Sequence, residues 1–201
     1  MSDCGCTPTG AETVTQRRVL WIALWLNAAM FVVEVGAGTL VHSSGLIADG
    51  LDMLSDAIVF LIGLVATQRS NRFKANAASV SGAMLLLLGL GVVGDAGRRL
   101  IYGGSPEGTW MMATSLVALA VNATVLRLLA ASRNDGVHMR AAWIFTRADV
   151  LANAAVILAG GAVLLTGARF FDLAIGGAIG LYVIREALEI LGEAKAARIA
   201  G

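Results

Sequence analysis

The sequence predicts an all-α, polytopic membrane protein with six transmembrane helices and both termini in the cytoplasm. Of its 201 residues, 57% are hydrophobic and only 14% are charged, and the mean hydropathy is +0.77, which lies outside the composition of soluble domains. Apolar runs long enough to cross a bilayer recur along the whole chain. The net charge of +1 shows no basic excess, so we expect no nucleic-acid partner.

The expected spans are separated by short polar or glycine-rich connections. They cover residues 19–41, from the connection at 42–44 to about 68, 77–93, 109–131, 138–165 and 172–191. The expected domain plan is a polar tail over 1–17, a six-helix transmembrane transport domain over 18–192, and a short tail over 193–201 with no soluble domain.

Basic residues predict the orientation of these spans. Nearly all Lys and Arg residues fall on the side of the N-terminus; the exceptions are Arg98, Arg99 and Arg169 on the opposite side and Arg147 inside a span. The positive-inside rule then places both termini in the cytoplasm, and we expect a multi-pass protein of the inner cell membrane. His42 and His138 lie near predicted boundaries, where we expect solvated side chains.

The second span carries three acidic residues on one face. Asp49, Asp52 and Asp56 stand at i, i+3 and i+7, so their side chains project from the same side of a helix. A charge at the centre of a membrane helix costs about 2.5–3.5 kcal/mol. Three acids therefore require protons, an Arg or a bound cation as compensation, and we expect them to line a cation path.

The fifth span contributes a further acid, Asp149, with Asn153 one turn beyond it. Asp52 and Asp56 are one turn apart and can hold a divalent cation from one side, while Asp149 can close the shell from the other. Carboxylates this close repel each other when the cation leaves, so release of metal can be matched by uptake of protons.

Arg147 is the basic residue that the predicted orientation leaves inside the membrane. It points about 200° away from Asp149 around the helix, so we expect a different partner, either Glu34 in the first span, Asp95, or another acid. The pair would be a gate that breaks during transport or a fixed pair that offsets burial of the charge.

Several of these segments together resemble one family. They are SSGLIADGLDMLSDA, the first-span run LNAAMFVVEVGAG with Asn27 and Glu34, Asn122 in the fourth span, and MRAAWIFTRADVLANAAVILAGG. This set, over about residues 20–191, resembles the cation diffusion facilitator family of divalent-metal transporters. The resemblance implies a six-helix, usually homodimeric transporter, not an enzyme, that exports zinc or a similar ion from the cytoplasm in exchange for protons by alternating access. The metal would be the substrate, and no prosthetic group is implied.

The resemblance also implies a transport site. The family's second-helix pair falls on Asp52 and Asp56, and the later fifth-helix ligand falls on Asp149. The earlier fifth-helix ligand, commonly His or Asp, falls on Phe145, which cannot bind a metal.

Three replacements for that ligand are open. They are Asn153, Asp49, which is also placed to act as a relay between the cytoplasm and the site, and a water molecule. A shell made only of oxygen ligands shifts the expected preference from zinc towards manganese, iron(II) or cobalt, with cadmium a further candidate.

Two features at the ends of the chain bear on assembly and metal capture. The family usually carries a soluble C-terminal domain that helps to dimerise, so a homodimer here would rely on its helices; the small residues of the third span suit such contacts or internal packing equally. Cys4 and Cys6 in the N-terminal tail either form a soft metal clip or are incidental thiols.

Two alternatives to transport are a metal-dependent membrane enzyme and a non-transporting membrane subunit. The CDP-alcohol phosphotransferases read D-x-x-D-G-x-x-A-R; Asp49 and Asp52 match the opening, but Met53 replaces the Gly and no Ala-Arg follows. A structural subunit would have no need for acids on two separate helices.

Overall fold

The protein is described by a computed structural model over residues 10–40, 44–102, 108–167 and 170–200, whose regular structure is entirely helical. The six helices are α1 (Gly10–Leu40), α2 (Ser44–Ala66), α3 (Asn71–Tyr102), α4 (Gly108–Ala130), α5 (Val137–Thr166) and α6 (Phe170–Ala200). The prediction of an all-α protein with six helices in this order is confirmed.

Four helices are long and apolar enough to cross a membrane. They cover Val14–Leu40, Asn71–Tyr102, Met112–Ala130 and Val137–Thr166. Every 18-residue stretch of α2 and of α6 contains at least three charged residues, which is why neither helix has the composition of an ordinary span. The chain is thus membrane-embedded, while crossing by α2 and α6 stays a prediction.

The helices extend beyond the apolar runs from which they were predicted. Helix α1 starts at Gly10, inside the expected polar tail, and α3 continues past residue 93 to Tyr102. The segment after 192, expected as a tail, is the end of α6 as far as Ala200. An apolar run marks only the part of a helix that lipid can surround, whereas the backbone hydrogen bonds continue until a turn residue or a cap stops them.

Two hydrophobic clusters hold the bundle together. One joins α1, α2, α4 and α5 through side chains that include Leu20, Phe60, Val125, Leu129 and Met139. The other joins α3 and α6 to α5 and to Val59 of α2. The bundle therefore consists of a group of four helices with the α3–α6 pair packed on one side of it.

Glycines allow α3 and α6 to approach closely. The position of a Cβ at Gly82 would lie 3.0 Å from side-chain atoms of Ile190 and Leu191, and one at Gly89 would lie 3.0 Å from the backbone nitrogen of Ile184. Internal packing is thus one use of the small residues of the third span. A homodimer through the helices stays a prediction.

His138 differs from the sequence expectation. It lies in the first turn of α5 and is only 2% exposed, so the prediction of a solvated boundary residue is wrong. The chain reverses between α4 and α5 at Gly136, whose φ is 136°, and this turn brings the imidazole under the end of the bundle. Neither ring nitrogen has a hydrogen-bond partner among the described residues.

The close approach at Gly89 can be tested against a matched glycine in the same helix. We expect Gly89→Ala to destabilise the protein by about 1–3 kcal/mol because the added methyl group meets α6. Gly91 has no neighbour within 4 Å of the same position, and Gly91→Ala gains the same helix propensity. Thermal unfolding of both variants in detergent measures the difference, and equal melting temperatures would contradict the close packing.

Candidate metal transport site

Asp56 of α2 and Asp149 of α5 form the centre of the candidate site. Asp56 is 0% exposed and Asp149 is 6% exposed, and their carboxyl groups are electrostatic neighbours across the contact between α2 and α5. Neither carboxyl oxygen of Asp56 receives a hydrogen bond from a donor in the described part of the chain. Two carboxylates in this position need a cation or a proton between them.

Asp52 lies beside this pair. It is one helical turn before Asp56 and interacts electrostatically with both Asp56 and Asp149. Its side chain is half-buried. Asp52, Asp56 and Asp149 are thus electrostatic neighbours, and their joint role as metal ligands stays a prediction.

Glu34 and Asp49 form a second acidic layer next to the first. Glu34 is 3% exposed, and neither of its carboxyl oxygens has a hydrogen-bond partner among the described residues. Its acidic neighbours are Asp49 and Asp52. Asp49 accepts a hydrogen bond from the side chain of Thr114 on α4. This layer lies nearer to the start of α2, at the end of the bundle opposite to the N-terminus.

The position of Asp49 bears on its expected role as a relay. Among the acidic residues of α2, Asp49 lies nearest to the start of the helix. Its role as a relay stays a prediction.

The position on α5 to which the family pattern assigns a ligand lies in apolar surroundings. Phe145 is fully buried in the cluster between α5, α3 and α6. Asn153, one turn after Asp149, is 7% exposed and remains available as a substitute. Cys4, Cys6 and His42 lie outside the described residues.

The acidic groups alone do not form a complete coordination shell. Over the described residues, no three His, Cys, Asp or Glu side chains are arranged to hold one metal ion. The buried pair of Asp56 and Asp149 therefore needs oxygen atoms from other residue types, or a shift of Asp52, to surround an ion.

Arg147 pairs with another acid than the two that were named from the sequence. It forms an ion pair with Glu186 of α6, which is buried, and its guanidinium lies 4.8 Å from the ring centroid of Trp143. Asp95 pairs with Arg98 and Arg99 within α3, and Glu34 has no hydrogen-bond partner among the described residues.

A second Arg makes the contact between α5 and α6 continuous. Arg140, seven residues before Arg147, pairs with Glu189 and Glu193 of α6. Glu186 and Glu193 are also seven residues apart. This equal spacing on two antiparallel helices is the sequence signal from which Glu186 could have been found.

Comparison with known proteins identifies cation efflux proteins as relatives of this chain. The family described as the cation efflux transmembrane domain matches residues 20–196. A metal cation efflux system protein, CzcD, of Cupriavidus metallidurans is 27% identical over 83% of this chain and 57% of its own length. The zinc transporter ZitB of Escherichia coli is 29% identical over 90% of this chain and 61% of its own length.

A third relative is a cadmium, cobalt and zinc/H(+)-K(+) antiporter of Bacillus velezensis, 25% identical over 88% of this chain and 61% of its own length. The chain thus spans about three fifths of the length of these relatives.

The buried ion pair between α5 and α6 predicts an asymmetric response to removal of charge. We expect Arg147→Gln to destabilise the protein by about 3–5 kcal/mol, because it leaves the buried Glu186 carboxylate without its partner. Arg140→Gln is the control, since its partners Glu189 and Glu193 are 37% and 31% exposed, whereas Glu186 is 3% exposed; such exposed ion pairs are worth about 1 kcal/mol or less.

Thermal unfolding in detergent measures both changes. The double variant Arg147→Gln, Glu186→Gln should recover much of the stability, since neither charge is then buried alone. Equal stability of the two single variants would show that Arg147 does not compensate Glu186.

Proposed function

Since this chain belongs to the cation efflux family, whose members are transporters and not enzymes, we propose that it exports a divalent transition-metal cation from the cytoplasm in exchange for protons. The phosphotransferase alternative is set aside with the enzyme class. The relatives named for metal efflux, for zinc transport and for cadmium, cobalt and zinc antiport support a substrate of this class.

The observation that carries the proposal is the buried contact between the carboxyl groups of Asp56 and Asp149. A divalent cation neutralises the pair and accepts oxygen ligands from both helices. When the ion leaves, protons neutralise the same oxygens, because two bare carboxylates cannot stay together in a buried site. Exchange of one cation for protons follows from this single requirement.

Asp52 is the third proposed ligand, and Asn153 or Asp49 would assist. An ion held by carboxylate and amide oxygens alone experiences harder ligands than one held by imidazole. We therefore propose that manganese, iron(II) and cobalt are carried together with zinc and cadmium, and that the absence of a ligand at Phe145 broadens the range of ions.

Alternating access requires α2 and α5 to change their relative position around the ion. Helix α5 is tied to α6 by the ion pairs of Arg147 and Arg140, and α6 is packed along α3. We propose that α3, α5 and α6 move together against α1 and α2. In this scheme Arg147 is a fixed coupling between two helices, and Glu34 with Asp49 lines the opposite end of the route.

The proposed setting is the inner cell membrane, with both termini in the cytoplasm and a homodimer formed through the helices. Export then runs from the end of the bundle that carries the N-terminus to the end that carries Glu34 and Asp49.

Transport by purified protein in liposomes tests the proposal. We expect zinc, manganese and cobalt each to enter vesicles with an opposite proton flux, reported by a metal indicator and a pH dye inside. Asp56→Asn and Asp149→Asn should each reduce metal flux to that of empty vesicles, because each removes one carboxylate of the buried pair that is proposed to bind the ion.

Asp135→Asn is the matched control. Asp135 is exposed in the connection between α4 and α5, so the same loss of a carboxylate there should leave transport unchanged. Wild-type flux in Asp149→Asn would overturn the site, and the absence of metal-driven proton flux in the wild type would overturn the proposed exchange.

A further inference from the structure

Two asparagines resemble the acidic pair in having buried side-chain oxygen atoms without a hydrogen-bond partner among the described residues. Asn27 of α1 and Asn122 of α4 are both 0% exposed. The Asn27 amide nitrogen donates to the carbonyl oxygen of Ala23 at 3.0 Å, which leaves its Oδ1 without a partner among the described residues, and Asn122 has no partner there for either Oδ1 or Nδ2. Buried amides without hydrogen bonds are costly.

Close approaches between α1 and α2 fix the height of Asn27 in the bundle. The Leu20 side chain comes within 3.4 Å of the position of a Cβ at Gly63, and the Glu34 Cβ comes within 3.2 Å of that at Gly50. The two helices are antiparallel, so the same register places Asn27 opposite Asp56 and Ala57. Asn27 is therefore level with the acidic pair.

A contact between α2 and α4 places Asn122 at the same height. Thr114 of α4 hydrogen-bonds Asp49 of α2; these helices run parallel, so Asn122 is level with Ala57, the residue after Asp56.

The register between α4 and α5 gives the same answer independently. Met112 comes within 2.6 Å of the position of a Cβ at Gly160. These two helices are antiparallel, so Asn122 lies level with Val150, the residue after Asp149.

Asn122 also faces the interior of the group of four helices. It belongs to a single buried stripe of α4, which comprises Ser115, Ala118, Asn122, Val125 and Leu129. Val125 and Leu129 of this stripe pack in one cluster with side chains of α1, α2 and α5. The stripe therefore directs the Asn122 amide towards the three helices that carry Asn27, Asp56 and Asp149.

We propose that the side-chain oxygens of Asn27 and Asn122 complete the coordination shell of the transported ion. One layer then supplies a carboxylate from α2, a carboxylate from α5, and an amide oxygen each from α1 and α4. The inference rests on the proposed transport function and extends its ligand set: two amide oxygens join the carboxylates of Asp52, Asp56 and Asp149 in an all-oxygen shell for a divalent cation. In this shell, amide oxygens from other helices take the place of the ligand that α5 does not supply at Phe145.

Metal binding to the full-length protein in detergent tests this assignment. Isothermal titration with Mn²⁺ and with Zn²⁺ would compare the wild type with Asn122→Leu, Asn122→Asp and Asn27→Leu. We expect each leucine variant to weaken binding by about tenfold or more, as loss of a metal-supporting group does, and Asn122→Asp to retain binding because an oxygen ligand is kept. Asn76→Leu, at an exposed position of α3, is the matched control and should bind as the wild type does.

Melting temperatures separate a ligand from a packing residue. Without metal, Asn122→Leu should be at least as stable as the wild type, because a buried unpaired amide is removed, but it should lose most of the stabilisation that the wild type gains from metal. Unchanged affinity in Asn122→Leu, or equal loss in Asn122→Leu and Asn122→Asp, overturns the inference and leaves the transport proposal standing. Failure of the wild type to bind either ion overturns both.

Discussion

The burial of two carboxyl groups against each other is the constraint on which the structure depends. Asp56 and Asp149 come from different helices, and neither carboxyl oxygen of Asp56 nor the Oδ2 of Asp149 has a hydrogen-bond donor among the described residues. Such a contact is unfavourable unless a cation or protons occupy it. The occupancy of the site and the distance between α2 and α5 therefore depend on each other. A protein that only needed a stable bundle would be better served by apolar side chains at both positions.

Helix α5 meets two opposite demands on its two faces. Asp149 interacts with Asp56 of α2, while Arg147, about 200° away around the helix, is paired with Glu186 of α6. In the proposed exchange the first contact changes with the ion, whereas the second is kept because a lone buried Glu186 would be costly. The proposed movement of α5 together with α3 and α6 follows from this difference. The glycines of α3, by admitting α6 closely, make that pair a firm support.

The sequence was sufficient for the order of the helices, because helical periodicity and apolar run length are local properties. The grouping of Asp52, Asp56 and Asp149 into one metal site stays a prediction. The ends of the helices were less predictable, since charged residues continue α1, α3 and α6 beyond the part that lipid can surround. The burial of His138 depends on the direction that the chain takes after Gly136. The direction of the chain after a turn produces no apolar periodicity in the sequence from which this burial could be predicted.

The ligand set shows most directly where reading along a helix stops being enough. Along α5, Phe145 and Asn153 lie one turn to either side of Asp149. Asn27 and Asn122 lie on other helices at the same height as the acidic pair, and no spacing within a single helix could predict that they are level with it. Their common height follows from contacts such as those at Gly50 and Gly160, and those contacts exist only once the helices are packed. In the proposed site the ligands come from four helices, so the site depends on the register between them, and oxygen atoms from neighbouring helices take the place of the ligand that is missing at Phe145.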